Sequence, residues 1–544
     1  MKSKPGFDKL RGGYYTPGEI AKFICDWAIQ KENVQVLEPS CGDGVFIEAS
    51  INRLREFGPD INYENYITGI ELIEEEAKKS EKYGARIING DFFEYYSKYI
   101  KNKMKYDVIV GNPPFIRYQN VDETSREIAF SFMKEIGLSP TKLTNMWLPF
   151  LVLSSLSLKK NGRLGMVIPA ELFQVDYAGE TRQFLSTYFE KITIVTFRTL
   201  VFDEIQQEVV LLLCEINSKD KGIQVLELNG IDDLLTTGIT TIQKSEIKEL
   251  DHTKEKWVKY YLSNDEIKLM RELQTKAEIK KTTDLFETNV GLVSGENNFF
   301  LMNKDTVDKF DIGQSAKKVI GRSEQMKGVL LNHSDFDDLV EKKKRVFIFM
   351  PEKVPLKELG KPERKYIQYG EEQGFNTGYK CRIRKLWYCI PQSWEPDAFI
   401  IRQANRFPRI VLNNINAVST DTVHKIKFLQ GVNEKQVTAA FLNSFTLALA
   451  EITGRSYGGG VLTFEPGEIR KLMIPMKCAE KLDIDKIDQL MRDNRIEEIL
   501  DYTDCILLQE GLGLSTEEVT MLRNIWLKLS ERRLGRKEQK NSSL

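Results

Sequence analysis

The four residues Asn112-Pro113-Pro114-Phe115 follow an apolar run, Tyr106–Gly111, that has the composition of a buried strand. Two consecutive prolines cannot continue a strand ladder, so the chain must leave the sheet at this point. A carboxamide, a backbone carbonyl and an aromatic ring therefore meet at one strand end. Such a set can hold a small planar group that carries an amine, as a nucleobase does. The alternative is an ordinary turn, because Asn-Pro is common turn punctuation.

A second pattern suited to ligand binding lies in Val34–Phe46, where an apolar strand ends in Glu38 and a Gly-x-Gly turn enters a helical pattern. Glycines in such a turn allow the backbone to approach a ligand closely. The turn lacks the third glycine of the dinucleotide fingerprint and any Gly-Lys-Ser/Thr phosphate loop. Nicotinamide cofactors and nucleoside triphosphates are thus disfavoured. A cationic sulfonium suits Glu38 and Asp43 better than a pyrophosphate would.

Two further strands end in acidic residues. Glu71 follows Tyr66–Ile70 and is placed to accept hydrogen bonds from ribose hydroxyls, whereas Asp91-Phe92 follows Ala85–Gly90 and offers adenine an acceptor and a stacking ring. Each has a simpler explanation, because carboxylates at strand ends are usually solvated and Phe92 would usually be core. Three such ends in succession before the Asn-Pro-Pro-Phe segment favour a ligand site.

With these motifs in order, the chain resembles the gamma class of DNA adenine-N6 methyltransferases from bacterial restriction–modification systems. The resemblance begins at Tyr14-Tyr15-Thr16-Pro17, continues through the segments above and reaches Gly162–Pro169. It covers about the first 245 residues. Cofactor motifs that precede Asn112-Pro113-Pro114-Phe115, with a long remainder after it, are the gamma arrangement. Phe115 stands where many relatives carry tyrosine, and both residues stack.

The resemblance implies S-adenosyl-L-methionine as cofactor and a site in which Asn112, Pro113, Pro114 and Phe115 are catalytic. It implies cofactor binding by Tyr15, Thr16, Glu38, Ser40, Gly42, Gly44, Glu71, Asp91 and Phe92. Phe115 would stack on the target base. Phe202 matches the position of a second stacking ring, and the alternative is a phenylalanine at a hairpin tip that packs into the core.

Composition bounds the remaining possibilities. With 544 residues, two or three domains are expected, and 41% hydrophobic with 29% charged residues is typical of a soluble globular protein. The chain has no apolar run of about 18 residues and no signal-peptide core, so we expect a cytoplasmic protein without membrane contact. Seven cysteines without a CxxC pair and three histidines predict reduced thiols and no metal site.

Charge separates two halves of the chain. Residues 1–250 carry 30 Lys and Arg against 36 Asp and Glu, whereas residues 251–544 carry 48 against 43. Because phosphate contact requires local positive charge, the second half is predicted to bind double-stranded DNA. The predicted DNA-binding residues are basic or aromatic: Arg382, Arg384, Trp387, Arg402, Arg455 and Tyr457. The last two adjoin the triple glycine Gly458–Gly460, which resembles a target-recognition loop. Residues 289–300 are a further predicted loop against DNA.

Hydrophobic periodicity predicts a Rossmann-like α/β methyltransferase sheet, mostly parallel with a C-terminal antiparallel hairpin, followed by an α+β target-recognition domain and a helical tail. Helices are expected near 44–57, 74–83, 122–136, 144–160 and 176–190, and the hairpin at 191–197 and 208–216. Residues 217–280 are interpreted as a charged connector. The predicted domains are 1–245 for catalysis, 246–480 for DNA recognition and 481–544 as a helical segment with a frayed basic end, 531–537.

Three alternatives remain open on sequence grounds. The enzyme could methylate RNA or a protein glutamine, because the Asn-Pro-Pro motif serves planar amides and bases alike. It could be a bifunctional restriction endonuclease-methylase, although the motifs start at Tyr14 and no convincing PD…ExK cluster is visible. A non-catalytic DNA-binding scaffold is disfavoured by the intact Glu71 and Asn112 motifs. A separately encoded restriction endonuclease is the expected partner.

Overall fold

The computed structural model describes residues 15–58, 62–101, 103–199, 201–202, 208–391, 394–457 and 460–542. The chain divides into two compact units, Met1–Asn264 with Gly535–Leu544, and Asp265–Leu534. Several residues of predicted motifs lie outside the described residues: Tyr14, Leu200, Asp203, Glu204, Gly458 and Gly459.

The first unit is built on an eight-stranded sheet with the order β3-β2-β1-β4-β5-β7-β6-β8. Only β7 is antiparallel to its neighbours, β5 and β6. The strands are β1 Val36–Glu38, β2 Ile67–Glu71, β3 Arg86–Asn89, β4 Tyr106–Gly111, β5 Leu158–Pro169, β6 Lys191–Phe197, β7 Val209–Glu215 and β8 Gly222–Leu228. Strand order reverses between β1 and β4, which makes the carboxyl ends of these strands the switch point of a doubly wound sheet. The predicted fold class is confirmed.

Helices connect the parallel strands, and one further helix precedes β1 and another follows β8. Their bounds are Gly18–Ala28, Val45–Arg55, Glu74–Glu81, Phe92–Tyr95, Glu123–Glu135, Trp147–Leu156, Gly179–Tyr188 and Ile231–Lys244. Asp122 caps the helix Glu123–Glu135 by accepting the backbone N–H of Ser125. The apolar helix Trp147–Leu156 is buried on all but its last residue, as expected for a helix without a polar face.

Two predictions about this unit are wrong. Strand β5 begins at Leu158, inside the predicted helix 144–160, because Leu158 already pairs with Tyr106 of β4. Residues 217–280 are not a connector, since β8 pairs in parallel with β6 along its whole length and an amphipathic helix follows. The two compact units divide after Asn264, and the domain bounds 1–245, 246–480 and 481–544 stay a prediction.

The second unit contains four smaller sheets with the orders β10-β19-β15-β17-β13, β11-β14-β12-β18, β16-β21-β20 and β22-β9. The strands are β9 Ile279–Lys281, β10 Phe286–Asn289, β11 Leu301–Met302, β12 Ala316–Ile320, β13 Leu330–Leu331, β14 Phe347–Phe349, β15 Ala398–Ile401, β16 Gln403–Ala404, β17 Ile410–Asn413, β18 Val418–Ser419, β19 Val423–Phe428, β20 Arg455–Tyr457, β21 Val461–Thr463 and β22 Met473–Pro475. An aromatic core surrounds Phe299, whose ring stacks on Tyr366 with centroids 4.8 Å apart. Phe299 and Phe300 are fully buried, so the end of the predicted loop 289–300 belongs to this core.

The helices of this part are Asn264–Gln274, Asn297–Phe300, Lys304–Phe310, His333–Glu341, Lys361–Glu372, Tyr379–Arg382, Glu434–Ala440, Ser444–Thr453, Pro466–Ile469, Ile484–Arg492, Ile496–Asp504 and Thr516–Ser542. Ser515 and Glu518 exchange side-chain to backbone hydrogen bonds before the last helix, which confirms the predicted capping box. In that helix Leu522, Ile525, Trp526 and Leu529 form a buried stripe, so it packs into the second unit up to Leu534. Across the described ranges, no helix is both long and apolar enough to cross a membrane.

Candidate active site at the switch point of the sheet

Glu38, Glu71 and Asn112 lie at or directly after the ends of three adjacent strands. Strand β1 lies between β2 and β4, and Val36 pairs with both Ile67 and Val108. The carboxyl ends of these strands therefore share one edge, at the switch point where such sheets bind ligands. The structure brings the three residues to this edge.

The glycine turn after β1 is fixed from two sides. The backbone N–H of Gly42 donates to Glu71 Oε2 at 2.9 Å, and its carbonyl accepts from Ser80 Oγ at 2.7 Å. Gly44 has a φ of 93°, and a Cβ there would lie 2.8 Å from the Tyr83 ring, so packing and conformation both require glycine. Gly42 has a φ of 52°, but a Cβ there would meet no described atom within 4 Å. The backbone of Gly42 is therefore accessible to a ligand.

Glu38 is a buried acid in this turn. It is 2% exposed, and burial raises its pKa well above the usual range, with Glu71 and Asp43 adding to the effect. Its Oε2 atom is buried and has no hydrogen-bond partner among the described residues. Burial and the neighbouring Glu76 also raise the pKa of Asp43. A buried group of this kind is stabilised by a cationic ligand, so the donor set fits the expected S-adenosylmethionine.

We expect Glu38→Gln to stabilise the ligand-free protein above about pH 5 while weakening cofactor binding. A carboxyl with a raised folded-state pKa costs stability as pH rises past its ordinary value, and the cost is complete above the raised value. The amide removes this cost, so the free energy of unfolding should depend less on pH. Loss of a charged contact should lower cofactor affinity roughly 10- to 100-fold. Urea unfolding across a pH series and calorimetric titration measure both effects, and wild-type behaviour in both would contradict the assignment.

Asn112 joins two predicted cofactor motifs. Its Nδ2 donates to Thr16 Oγ1 at 3.1 Å, and its backbone carbonyl accepts from Ser40 Oγ at 3.3 Å. Thr16 is buried, and a Cβ on Gly111 would lie 3.4 Å from Pro39, so the two strand ends are closely packed. These contacts fix the orientation of the Asn112 carboxamide. Pro113 is buried beside it.

Pro114 and Phe115 are half-buried, and Phe115 packs against the core that surrounds the first helix. Phe202 is 6% exposed and belongs to the same buried cluster. Phe202 therefore packs in the core, which was the alternative interpretation of this residue from the sequence. A stacking role for Phe202 would require its ring to leave that core.

Three other predicted cofactor residues have local partners. Tyr15 is 61% exposed, and its hydroxyl lies 3.4 Å from the Glu76 carboxylate. Asp91 caps the short helix after β3, accepting the backbone N–H groups of two residues that follow it. Phe92 is 2% exposed and stacks on Phe150 at a centroid distance of 5.2 Å. Asp91 and Phe92 thus shape the wall of this edge, and Phe92 presents no open face for stacking.

In the second unit, most of the predicted DNA-binding residues are engaged within the fold. Three arginines bind internal acceptors: Arg384 binds the Val293 carbonyl at 2.8 Å, Arg402 the Glu465 carboxylate at 2.6 Å, and Arg455 the buried Glu468 at 2.5 Å. Trp387 donates to Glu371 and packs on Phe299. Arg382 is exposed. Tyr457 lies in β20, with its side chain outside the described residues.

Arg533 is a residue of interest that the sequence did not indicate, because it was interpreted as part of a frayed tail. It is 3% exposed and forms a bidentate ion pair with the equally buried Glu451, at 2.7 and 3.0 Å. It also donates to the backbone carbonyls of Asn405, Arg406 and Gly460. Arg533 therefore holds the end of the glycine loop between β20 and β21. The apolar stripe of its helix is the signal that could have shown it to be packed.

Two family models match the chain in order. The Eco57I restriction-modification methylase model matches residues 44–202, and the model of the C-terminal domain of Type II methyltransferase M.Eco57I matches residues 254–508. Type II methyltransferase M.AccI from Acinetobacter calcoaceticus is 25% identical over 523 residues, which are 91% of this chain and 92% of that protein. M.HindII from Haemophilus influenzae is 25% identical over 308 residues, 54% of this chain and 55% of that protein.

Two solved structures share the fold over most of the chain. The Type IIL restriction-modification enzyme MmeI in complex with DNA has a TM-score of 0.57 and 13% identity, covering 96% of this chain and 74% of that one. The DrdV–DNA complex has a TM-score of 0.50 and 14% identity, covering 90% of this chain and 58% of that one. The chain thus spans between about half and three quarters of these structures and of M.HindII.

The doubly wound sheet and its strand-end motifs define a methyltransferase. Both family models match in order and the alignment with M.AccI runs over nearly the whole chain, which supports a bacterial restriction–modification methyltransferase. Among the residues that the structure describes, no group of three His, Cys, Asp or Glu side chains is arranged to hold a metal ion.

Proposed function

We propose that this chain is a site-specific DNA adenine-N6 methyltransferase that uses S-adenosylmethionine and serves as the modification enzyme of a type II restriction–modification system. The observation that carries this proposal is the junction of Asn112 with Thr16 and Ser40, since it joins the amine-binding motif to two predicted cofactor motifs. Relatives named Type II methyltransferases support the DNA methyltransferase role. Enzymes of similar fold have been solved as complexes with DNA.

The proposed mechanism depends on positioning. The N6 lone pair of adenine is delocalised into the ring, so the amine is a poor nucleophile. Hydrogen bonds from the amine to the Asn112 side-chain oxygen and the Pro113 carbonyl would localise that lone pair and orient it. S-adenosylmethionine supplies a methyl group that is already activated. Thr16 and Ser40 hold Asn112 in place before substrate binds, which lowers the cost of reaching the reactive geometry.

The target adenine must leave the duplex, because its amino group is engaged in base pairing there. Phe115 is the proposed stacking residue for the extruded base, as it is half-buried beside Asn112 in sequence. Glu71 holds the glycine turn by accepting the N–H of Gly42 at 2.9 Å, and it also accepts the N–H of Ile73, after the end of β2, at 2.9 Å. Its carboxylate is the proposed acceptor for the ribose hydroxyls of the cofactor.

We expect Glu71→Ala to weaken S-adenosylmethionine binding by at least about 10-fold, because the variant loses a charged acceptor and the support of the turn. Calorimetric titration measures the affinity. Glu75→Ala is the matched control, since Glu75 is exposed in the following helix. If the affinity of the Glu71 variant equals that of the control, the ribose assignment is wrong.

The reaction itself is tested by expressing the chain in a host without adenine methylation and mapping modified bases across the genome. N6-methyladenine at one recurrent sequence is expected. Modified cytosine, or label transferred to RNA or to protein glutamine instead of DNA, would overturn the proposal.

A separately encoded restriction endonuclease is the proposed partner. Incubation of purified protein with plasmid DNA and Mg²⁺ tests this part of the proposal, with the methyltransferase reaction run on the same preparation. Intact plasmid is expected. Cleavage at sites that share the methylated sequence would favour a bifunctional enzyme.

A further inference from the structure

The short helix Tyr379–Arg382 presents two large apolar side chains to solvent. Tyr379 is 66% exposed and Ile383 is 61% exposed. The backbone N–H of Ile383 donates to the Tyr379 carbonyl at 3.2 Å, so the two residues stand one helical turn apart on the same face. Two adjacent apolar side chains that are this exposed form a small apolar surface that a partner can cover.

The opposite side of this turn is firmly anchored. Cys381 is fully buried in the aromatic core. Arg384 donates to the Val293 carbonyl, and its guanidinium lies 5.6 Å from the centre of the Phe300 ring. Gly295 packs so closely that a Cβ there would lie 2.6 Å from Lys380 Cβ. The apolar pair is therefore held in place before any partner binds, which lowers the entropic cost of binding.

Positive charge surrounds the pair. Lys380, Arg382 and Lys385 are all exposed, and the sequence from Tyr379 to Pro391 contains no acidic residue. The acidic side chains that face this turn from packed elements are engaged elsewhere: Glu296 caps the N–H of Asn298, and Glu371 accepts from Trp387. A cationic ring around an apolar tip complements a polymer with an anionic backbone and stacked apolar interior. Duplex DNA has this chemistry.

We propose that Tyr379 and Ile383 form a wedge that enters between base pairs of duplex DNA and kinks it, while Lys380 and Arg382 bind the flanking phosphates. This inference rests on the proposed function, because it takes DNA as the substrate. Partial unstacking of neighbouring base pairs lowers the cost of extruding a base from the helix. The wedge thus contributes to methylation of duplex DNA through deformation of the substrate.

The test uses the full-length protein with the double substitution Tyr379→Ser and Ile383→Ser. DNA bending is measured by energy transfer between fluorophores at the duplex ends, together with affinity across a salt series and methylation rate. We expect the bend to disappear, affinity for a paired duplex to fall about 10-fold or more, and the salt dependence to remain unchanged. A duplex with the target adenine mismatched should recover most of the rate, since a mismatched base costs less to extrude.

Three controls make the outcome specific. Ile136→Ser, which removes an exposed apolar residue of the first unit, should behave as wild type. Tyr379→Phe with Ile383→Leu should retain the bend, which separates wedge loss from misfolding. Arg382→Gln should retain the bend but reduce the salt slope by about one unit.

A serine variant with wild-type bend and affinity, or preferential binding of wild type to double-stranded RNA, would overturn the wedge. A wild-type protein that neither binds nor methylates DNA would overturn the proposed function instead.

Discussion

Replacing Asn112 by alanine should abolish most methyl transfer, about 10²- to 10³-fold in rate, while S-adenosylmethionine still binds. The side chain is the proposed acceptor for the N6 amine and is held by Thr16, so its loss removes an interaction that orients the nucleophile. Loss of one preorganised group of this kind typically costs about 10²- to 10³-fold in rate. Single-turnover methylation of a cognate duplex measures the rate, and calorimetry measures cofactor affinity.

Asn52→Ala is the matched control, because Asn52 is exposed in the helix Val45–Arg55 of the same unit. Asn112→Asp should retain a small part of the rate, since it keeps an acceptor oxygen but loses the donor to Thr16. Parallel collapse of cofactor affinity and rate in the alanine variant would place Asn112 in the cofactor site and contradict the role given to it.

Substitution of Arg533 by methionine should destabilise the second unit by about 3–5 kcal/mol, the usual cost of breaking a buried ion pair by removing one partner. The change leaves Glu451 buried without its cation and removes donors to the Asn405 and Gly460 carbonyls. Burial already raises the pKa of Glu451, and without Arg533 the pKa should rise further. Urea unfolding followed by tryptophan fluorescence gives the free energy, because Trp526 lies in the same helix.

Lys528→Met is the control in that helix. Lys528 is exposed and forms an ion pair with the half-buried Glu266 at 3.3 Å, and pairs near the surface contribute about 1 kcal/mol or less. The methionine variant at Arg533 should also lose discrimination between cognate and scrambled duplexes, since the loop that it holds is the proposed recognition loop. Equal unfolding energies for the two variants would show that the buried pair contributes little.

The local patterns of the first half allowed the strand-end site to be predicted. Glu38, Glu71 and Asn112 each stand at the end of a short apolar run, and parallel strands bring such ends to one edge whatever the helices between them do. The roles of Phe92 and Phe202 could not be predicted in the same way. Whether a phenylalanine faces a ligand or the core depends on packing partners such as Phe150, which is distant in sequence.

The roles of the basic residues in the second half also depend on partners that are distant in the fold. Positive charge in 379–427 was visible, but the partners of Arg402 and Arg455 are carboxylates, Glu465 and Glu468, whose approach depends on tertiary structure. Strand β8 was missed because its flanking residues are charged and turn-rich, and because its pairing with β6 is a long-range contact. Local composition therefore predicted which part of the chain binds DNA. It could not distinguish exposed arginines from arginines that form ion pairs within the fold.

The contacts of Arg533 allow the side chains of the proposed recognition loop to change during evolution without loss of the loop's support. Beyond Glu451, the partners of this arginine among the described residues are main-chain oxygens, those of Asn405, Arg406 and Gly460. Such contacts do not depend on side-chain identity, so Asn405 and Arg406 can accept new side chains while their backbone remains held. Gly460 is the exception, because its φ is 71° and a Cβ there would lie 2.9 Å from the Arg533 carbonyl oxygen. A swap of the hairpin between related enzymes would succeed as long as the recipient keeps this arginine and Glu451. The ion pair between Arg533 and Glu451 would be retained, while the side chains on the backbone that Arg533 holds diverge.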